Sequence, residues 1–347
     1  MKLFSLDETR AALTMADVIG ALRLLYEELG HARAASGPRT DTLCESPSGG
    51  AYALKTMDGV IPKLELGSVR ISSDVIDWPT LNGAVRRDKV AAAPGARWTS
   101  LVLLFSTVTG EPLAILPDGY VQRMRVGGTS AIALDLMARR NVKTLAVLGS
   151  GGQAGSALMG ACAVREFAEI RAWSPNRAHL ERFRDEMQAE LGREIALADS
   201  AKSLVAGADI VLTATSSTVP VLDAAWVEPG MHLGSVRHAE LDAATLGRAA
   251  HVVVHSHAAS PVNTVVGAAQ LAEGDRGSSW SAYPTLGDLV CRNAPARAND
   301  AEVTCFVNNI GLGTQFTAVG AKLLEVARTR DLGRDFPTEW FTQNVRS

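Results

Sequence analysis

From Asp7 to Gly37, apolar residues recur at helical spacing in "DETRAALTMADVIGALRLLYEELGHARAASG", and Gly37-Pro38 reads as the stop of that helix. The runs "GAYALKTMDG", "LELGSVRISSDV" and "WTSLVLLFSTVTGEPLAILPDG" follow, β-rich and cut by Gly, Pro and Asp. They predict an antiparallel sheet with a hairpin turn at Thr109-Gly110-Glu111. At "RMRVGGTSAIALDLMARRN" the pattern becomes helical. From there the short apolar runs "TLAVLGS", "EIRAWS", "DIVLTATSS", "MHLGSV" and "HVVVHS" alternate with helix-compatible segments such as "NRAHLERFRDEMQAELG". That alternation predicts βαβ units and a parallel sheet covered on both faces. After "EVTCFVNNIGLG" a helical period returns in "TQFTAVGAKLLEVARTRDLG", then an aromatic tail, "FPTEWFTQN". This last helix is expected to pack on the first lobe, which makes that lobe discontinuous.

The first strand of the parallel set runs into glycines: Gly149-Ser150-Gly151-Gly152-Gln153-Ala154, a G-x-G-x-x-A turn opening onto a helix. Gly149 permits the tight turn, Gly151 lets the backbone approach a pyrophosphate, and Ala154 allows close helix–strand packing. The free N–H groups of the helix's first turn then face the ligand's negative charge. The next strand ends at "WSPNR", with Ser174, Asn176 and Arg177 where an NAD-selective protein usually has a carboxylate for the ribose 2′-hydroxyl. A hydroxyl, an amide and a guanidinium suit a 2′-phosphate, so NADP(H) is the expected cofactor and NAD(H) the alternative. Arg177 also fits a plain solvated residue in a helix's first turn.

Composition narrows the partners. The chain has 347 residues, 47% hydrophobic and 20% charged, which suits two packed lobes. Its 34 basic and 37 acidic residues are mixed along the chain, which gives no nucleic-acid footprint and no membrane-surface patch. Cys44, Cys162, Cys291 and Cys305 show no C-x-x-C spacing, so neither a zinc site nor a disulfide framework is expected. The start of the chain has no signal-peptide pattern and no apolar run reaches membrane-spanning length, so a cytoplasmic location is expected. In "HVVVHSH", strand alternation puts His251, His255 and His257 on one face, without a carboxylate or cysteine at ligand spacing; no metal site is expected.

The block "LPDGYVQRMRVGGTSAIALDLMARRNVKTLAVLGSGGQAGSAL" resembles the ornithine cyclodeaminase/mu-crystallin family in two places. One is the helix start Arg125-Val126-Gly127-Gly128-Thr129-Ser130-Ala131; the other is the G-x-G-x-Q-A turn at Gly149 to Ala154. "ADIVLTATSSTVPVLDAAWVEPGMHLGSV" and the "ELD" at Glu240 to Asp242 follow the family pattern too. The resemblance spans most of the chain and is specific from about Pro117 to Asp242. It implies an α/β fold: a Rossmann-type parallel-sheet domain inserted into a discontinuous α+β substrate-binding and dimerisation domain. Residues 1–126 and 316–347 are assigned to the latter, residues 127–315 to the NAD(P)-binding domain. A homodimer and a small amino- or imino-acid substrate are implied. Activities in the family include ornithine cyclisation with ammonia loss, alanine dehydrogenation, ketimine and cyclic imino-acid reduction, and opine-type reductive amination.

Carried over residue by residue, Arg39 and Arg125 fall where family arginines contact the substrate carboxylate, which suits the bidentate geometry of guanidinium. Arg70 stands where the family often has a lysine that binds carboxylate or donates a proton; its high pKa makes arginine a poor acid. Lys55, two residues before Met57, replaces a cyclodeaminase glutamate and becomes the preferred proton donor. The aspartate that cyclodeaminases use for a distal amine is absent from "GSVRHAELD", where Arg237 and His238 stand nearby. This argues against a diamine and makes His238 a second acid/base candidate, or a structural loop histidine. The catalytic candidates are therefore Lys55, Arg70 and His238, and the substrate clamp Arg39, Arg70 and Arg125, with Asp74 and Asp118 as supports. The nicotinamide is expected near Thr215, Ser216 and Gly311. A dehydrogenase or imine reductase is the expected function; a cyclodeaminase or a non-catalytic cofactor-dependent binding protein are the alternatives.

Overall fold

The computed structural model describes residues 1–81, 84–85, 88–258, 261–267 and 280–344. The opening helical period forms two helices, Leu6–Ala12 and Met15–Gly30, where the pattern predicted one. Each starts with a capping box, Ser5 with Glu8 and Thr14 with Asp17, so the second box begins a new helix in mid-run. The second helix ends at Gly30, well before the Gly37-Pro38 stop, and His31 caps it by donating its N–H to the Glu27 carbonyl.

Among the described residues, the β-rich first third forms most of a ten-stranded mixed sheet. Its centre is antiparallel: Thr40–Glu45, Ala51–Ile61, Leu66–Asp77, Ser100–Ser106 and Pro112–Pro117 lie side by side. The predicted hairpin joins the last two, with Gly110 at φ +79° donating its N–H to the Ser106 carbonyl at 2.9 Å. Strand Ala51–Ile61 alternates buried and more exposed positions, so one face is turned inward. The helices Met15–Gly30, Asp118–Met137 and Gly313–Arg330 share a core with that face, around Leu22, Leu25, Met57, Leu104, Met124 and Phe316. Gly59 and Gly313 let backbone meet backbone: a Cβ on Gly59 would collide with the Thr314 amide, and one on Gly313 with the Asp58 carbonyl. The start of helix Gly313–Arg330 is thereby seated on the strand that carries Lys55.

The second sheet is parallel, in the order Ala196–Leu197, Glu169–Trp173, Thr144–Leu148, Ile210–Thr213, His232–Ser235, Thr304–Val307, His251–Val254. The order reverses between Thr144–Leu148 and Ile210–Thr213, which opens a crevice beyond the strands' carboxyl ends. This is a Rossmann-type sheet beside a separate sheet lobe. The strand Val262–Val265 leaves the parallel region and adds to the edge of the first sheet beside Thr40–Glu45.

Candidate active site

The glycine turn lies at the switch point. Gly149 has φ +130°, a value side chains rarely adopt, and a Cβ there would strike the Ala214 carbonyl of the neighbouring strand's exit. Gly151 is the N-cap of helix Gly152–Val164, has open space where its Cβ would be, and offers no capping side chain. The first-turn N–H groups thus have no side-chain cap and the backbone at Gly151 is open to approach, which fits a dinucleotide pyrophosphate. Ala154 is fully buried against the sheet.

At the tip of the next strand, Asn176 caps its own helix, its Oδ1 accepting from the His179 amide at 3.0 Å. Arg177 is exposed and pairs with Glu181 one turn on, Nε to Oε1 2.8 Å. Thr215 gives its amide and hydroxyl to Glu240 at 2.5 and 2.7 Å, and Ser216 is exposed. Glu240, itself fully buried, also accepts from the Thr213 and Ser235 hydroxyls at 3.0 and 3.1 Å and ties two neighbouring strand exits together. Sequence reasoning noted Glu240 without giving it this task. His238 opens the 3₁₀ turn His238–Glu240 that carries this glutamate.

Across the crevice, the inner face of the first sheet carries the basic candidates. Register places Lys55 between Asp41 and Ser72, and Met57 opposite Arg70. Arg39 forks onto Asp41, Nε–Oδ1 2.7 Å and Nη2–Oδ2 2.6 Å. Arg70 donates from Nε to Asp118 at 2.6 Å. Lys55, 6% exposed, lies 3.4 Å from Asp74, which also accepts from Lys89 at 2.7 Å and from the Ser72 hydroxyl at 2.8 Å. Burial opposes ionisation of Asp74, but Lys89, Ser72 and Lys55 outweigh it and hold the carboxyl below its ordinary value.

Arg125 differs from these cations. It is 5% exposed and, among the described residues, donates only to neutral acceptors: Nη1 to Gln315 Oε1 at 2.6 Å, and Nε and Nη2 to Gln122 Oε1 at 3.2 and 2.7 Å. Its guanidinium and that of Arg70 lie over the Phe316 ring, 5.3 and 5.5 Å from the centroid. Gly311 makes room for it, since a Cβ there would come within 2.5 Å of Nη1. Burial, followed by the nearby Arg70, pushes the Arg125 pKa down to about 9, so the group stays charged at neutral pH. Among the described residues, Asp41, Asp74 and Asp118 pair with Arg39, with Lys55 and Lys89, and with Arg70, while the acceptors of Arg125 are amides. Arg125, a cation whose acceptors among the described residues are neutral, suits an anionic ligand.

Behind Arg125 is a buried polar chain that sequence reasoning missed. Gln315 Nε2 donates to the Tyr26 hydroxyl at 3.0 Å and to Thr129 Oγ1 at 2.7 Å, and Tyr26 reaches His255 Nε2 at 2.8 Å. His255 touches the Ile310 carbonyl through Nδ1. Of the three histidines in "HVVVHSH", His255 is therefore a buried link, while His251 lies 3.2 Å from Glu302 and His257 bonds the Tyr283 carbonyl at 2.7 Å. No group of His, Cys, Asp and Glu suited to a metal ion occurs among the described residues.

A glycine turn of dinucleotide-binding form at a Rossmann switch point, together with a largely buried cluster of basic residues on a second lobe, is the make-up of a nicotinamide-dependent oxidoreductase. The chain belongs to the ornithine cyclodeaminase/mu-crystallin family, whose model matches residues 86–329. A Δ1-pyrroline-2-carboxylate reductase of Bacillus cereus is 26% identical over 340 residues, 96% of this chain and 98% of that one. Among solved structures, the Thermococcus litoralis Δ1-pyrroline-2-carboxylate reductase in complex with NADH and L-proline superposes with a TM-score of 0.79. It is 23% identical and covers 97% of this chain and 100% of its own. An archaeal alanine dehydrogenase dimer with bound NAD superposes with a TM-score of 0.77 at 21% identity, over 97% and 99% of the two chains.

Proposed function

We propose that the protein is an imine reductase or amino-acid dehydrogenase that moves hydride between a nicotinamide and the α-carbon of a small imino or amino acid. The carrying observation is Arg125: a buried, charged guanidinium held, among the described residues, by amides alone. The names of the similar reductases agree with this reading. When bound, the nicotinamide supplies the hydride acceptor or donor.

The chain's own residues do the rest. Arg125 takes the substrate carboxylate, with Arg70 and Arg39 lining the same pocket while staying tied to Asp118 and Asp41. Lys55, its ammonium held by Asp74, hands a proton to the nitrogen of the reduced imine or relays it in reverse. Burial of Lys55 and Arg125 keeps water from the reacting carbon and strengthens each charge contact. Ser174 and Arg177, with no carboxylate at the strand tip, support NADP(H) over NAD(H); the exposed Arg177–Glu181 pair is weak enough to open for a 2′-phosphate. Leu54, Val60 and Leu101, exposed on the outer face of the first sheet, support a homodimer through that face.

The test is a panel of cyclic imino acids and of 2-oxo acids with ammonia, each assayed with NADPH and with NADH. Stoichiometric cofactor oxidation, faster with NADPH, is the expected result. Ammonia release from ornithine or lysine without net cofactor turnover would replace this reading by a cyclodeaminase.

A further inference from the structure

We infer that Gln315, oriented by the buried Tyr26–His255 pair, is a positioning residue that holds the Arg125 guanidinium without neutralising it and so reserves its charge for a ligand carboxylate. This rests on the reading of Arg125 as the carboxylate receptor.

The proton count carries the inference. The Ile310 carbonyl can only accept, so the His255 Nδ1 against it bears the ring proton. His255 is fully buried, and burial lowers its pKa to about 4; it is neutral at pH 7 and its Nε2 is an acceptor. Tyr26 therefore donates its single proton to Nε2 at 2.8 Å. Its oxygen must then accept, from the Thr129 hydroxyl at 2.6 Å and from Gln315 Nε2 at 3.0 Å. The second Nε2 hydrogen goes to Thr129 Oγ1 at 2.7 Å, and Thr129, whose oxygen also lies 2.8 Å from the Arg125 carbonyl, gives its single proton to the Tyr26 oxygen at 2.6 Å.

With both amide hydrogens placed, Oε1 of Gln315 is turned toward Arg125, accepting from Nη1 at 2.6 Å and from the Leu312 amide at 3.0 Å. The tautomer of one buried histidine thus agrees with two obligate donors, Arg125 Nη1 and the Leu312 amide, on which end of the amide meets the guanidinium. Gln122 does the same work from Arg125's own helix, through Nε and Nη2. A carboxylate at either place would satisfy the same donors while cancelling the charge, as Asp118 and Asp41 do for Arg70 and Arg39. Two amides in these places leave the positive charge uncompensated.

The test substitutes Gln315→Glu and, separately, Gln122→Glu in the full chain. Calorimetric binding of pyrrole-2-carboxylate and of its uncharged carboxamide is measured on the cofactor-loaded protein, together with KM and kcat for any imino acid that the wild type turns over. Each variant is expected to weaken carboxylate binding about tenfold or more, with carboxamide and cofactor binding unmoved and KM rising far more than kcat falls. A purely structural role would shift all these readouts together. Gln122 is only half-buried, so its variant keeps the test open should Gln315→Glu not fold. Carboxylate affinity equal to wild type in a folded variant overturns the inference. A wild type that binds the carboxylate and loses it in both variants, yet reduces no imino acid, leaves the inference standing and removes the proposed reaction instead.

Discussion

Lys55 and Arg70 show how much one strand register decides. Lys55 lies opposite Ser72 and Met57 opposite Arg70, so the two cations sit diagonally on one face, each with its own aspartate. That division separates binding from proton transfer, because an ammonium can hand on a proton while a guanidinium is a poor general acid. Lys55→Met is expected to lower kcat by about 10²- to 10⁴-fold with KM and cofactor affinity changed little, as steady-state kinetics and cofactor fluorescence titration would reveal. A kcat within a few-fold of wild type would move the proton donor elsewhere, with His238 next in line. At this scale the charged candidates were legible because each fills or departs from a motif position. Gln122, Gln315, Tyr26 and Thr129 were not, since a neutral polar residue acquires its role only from the partner that folding brings to it. The faint available signal was Gln122, three residues before Arg125 and so on the same helix face.

Elements were read more easily than their junctions. Five of the seven described strands of the parallel sheet fall within the apolar runs that predicted them, because a strand buried on both faces is largely apolar; Ala196–Leu197 and Thr304–Val307 lie outside those five runs. The split between Leu6–Ala12 and Met15–Gly30 was hidden, since a continuing helical period outweighed a capping box in its middle. Helix Asp118–Met137 also starts earlier than its apolar period, with Pro117 as N-cap and Asp118 in the first turn, where it can hold Arg70. This helix meets Gly152–Val164 through glycines: a Cβ on Gly127 would strike the Ser156 carbonyl, and one on Gly160 would lie 2.5 Å from the Gly127 carbonyl. The contact ties the helix bearing Arg125 to the helix that opens at the glycine turn, so it sets the distance between the two halves of the site. Gly160→Val should force the helices apart, lowering the unfolding free energy by about 2 kcal/mol or more and weakening cofactor binding, measured by urea denaturation and fluorescence titration. A stability within about 0.5 kcal/mol of wild type would show that the helices can part without cost.

Taken as a whole, the molecule keeps two imidazoles neutral in its interior. His232, in the parallel sheet and bonded to Thr304 Oγ1 at 2.9 Å, has its pKa lowered by burial to about 3. His255, lowered to about 4, joins that sheet's edge strand to Tyr26 in the helix packed on the other lobe. An unfolded histidine takes its proton near pH 6.5, so both groups contribute full stability above that value and lose it as pH falls toward 4 and 3. Aspartates such as Asp74 and Asp135 are also depressed, but their linkage begins only below the ordinary carboxylate value near 4. Between pH 6 and 5 the two histidines therefore act alone among these groups. The unfolded chain binds nearly two more protons than the folded one there, and the unfolding free energy should fall by about 2 kcal/mol or more per pH unit. Guanidinium denaturation at pH 7.5, 6 and 5 measures the slope, and His232→Asn, if folded, should roughly halve it. A curve that stays flat from pH 6 to 5 would mean that both imidazoles are charged in the folded protein, and a halved slope in the wild type that one of them is. For His255 that result would reach the active site, because a protonated Nε2 could no longer accept from Tyr26, and the bonding order that turns the Gln315 oxygen toward Arg125 would be lost.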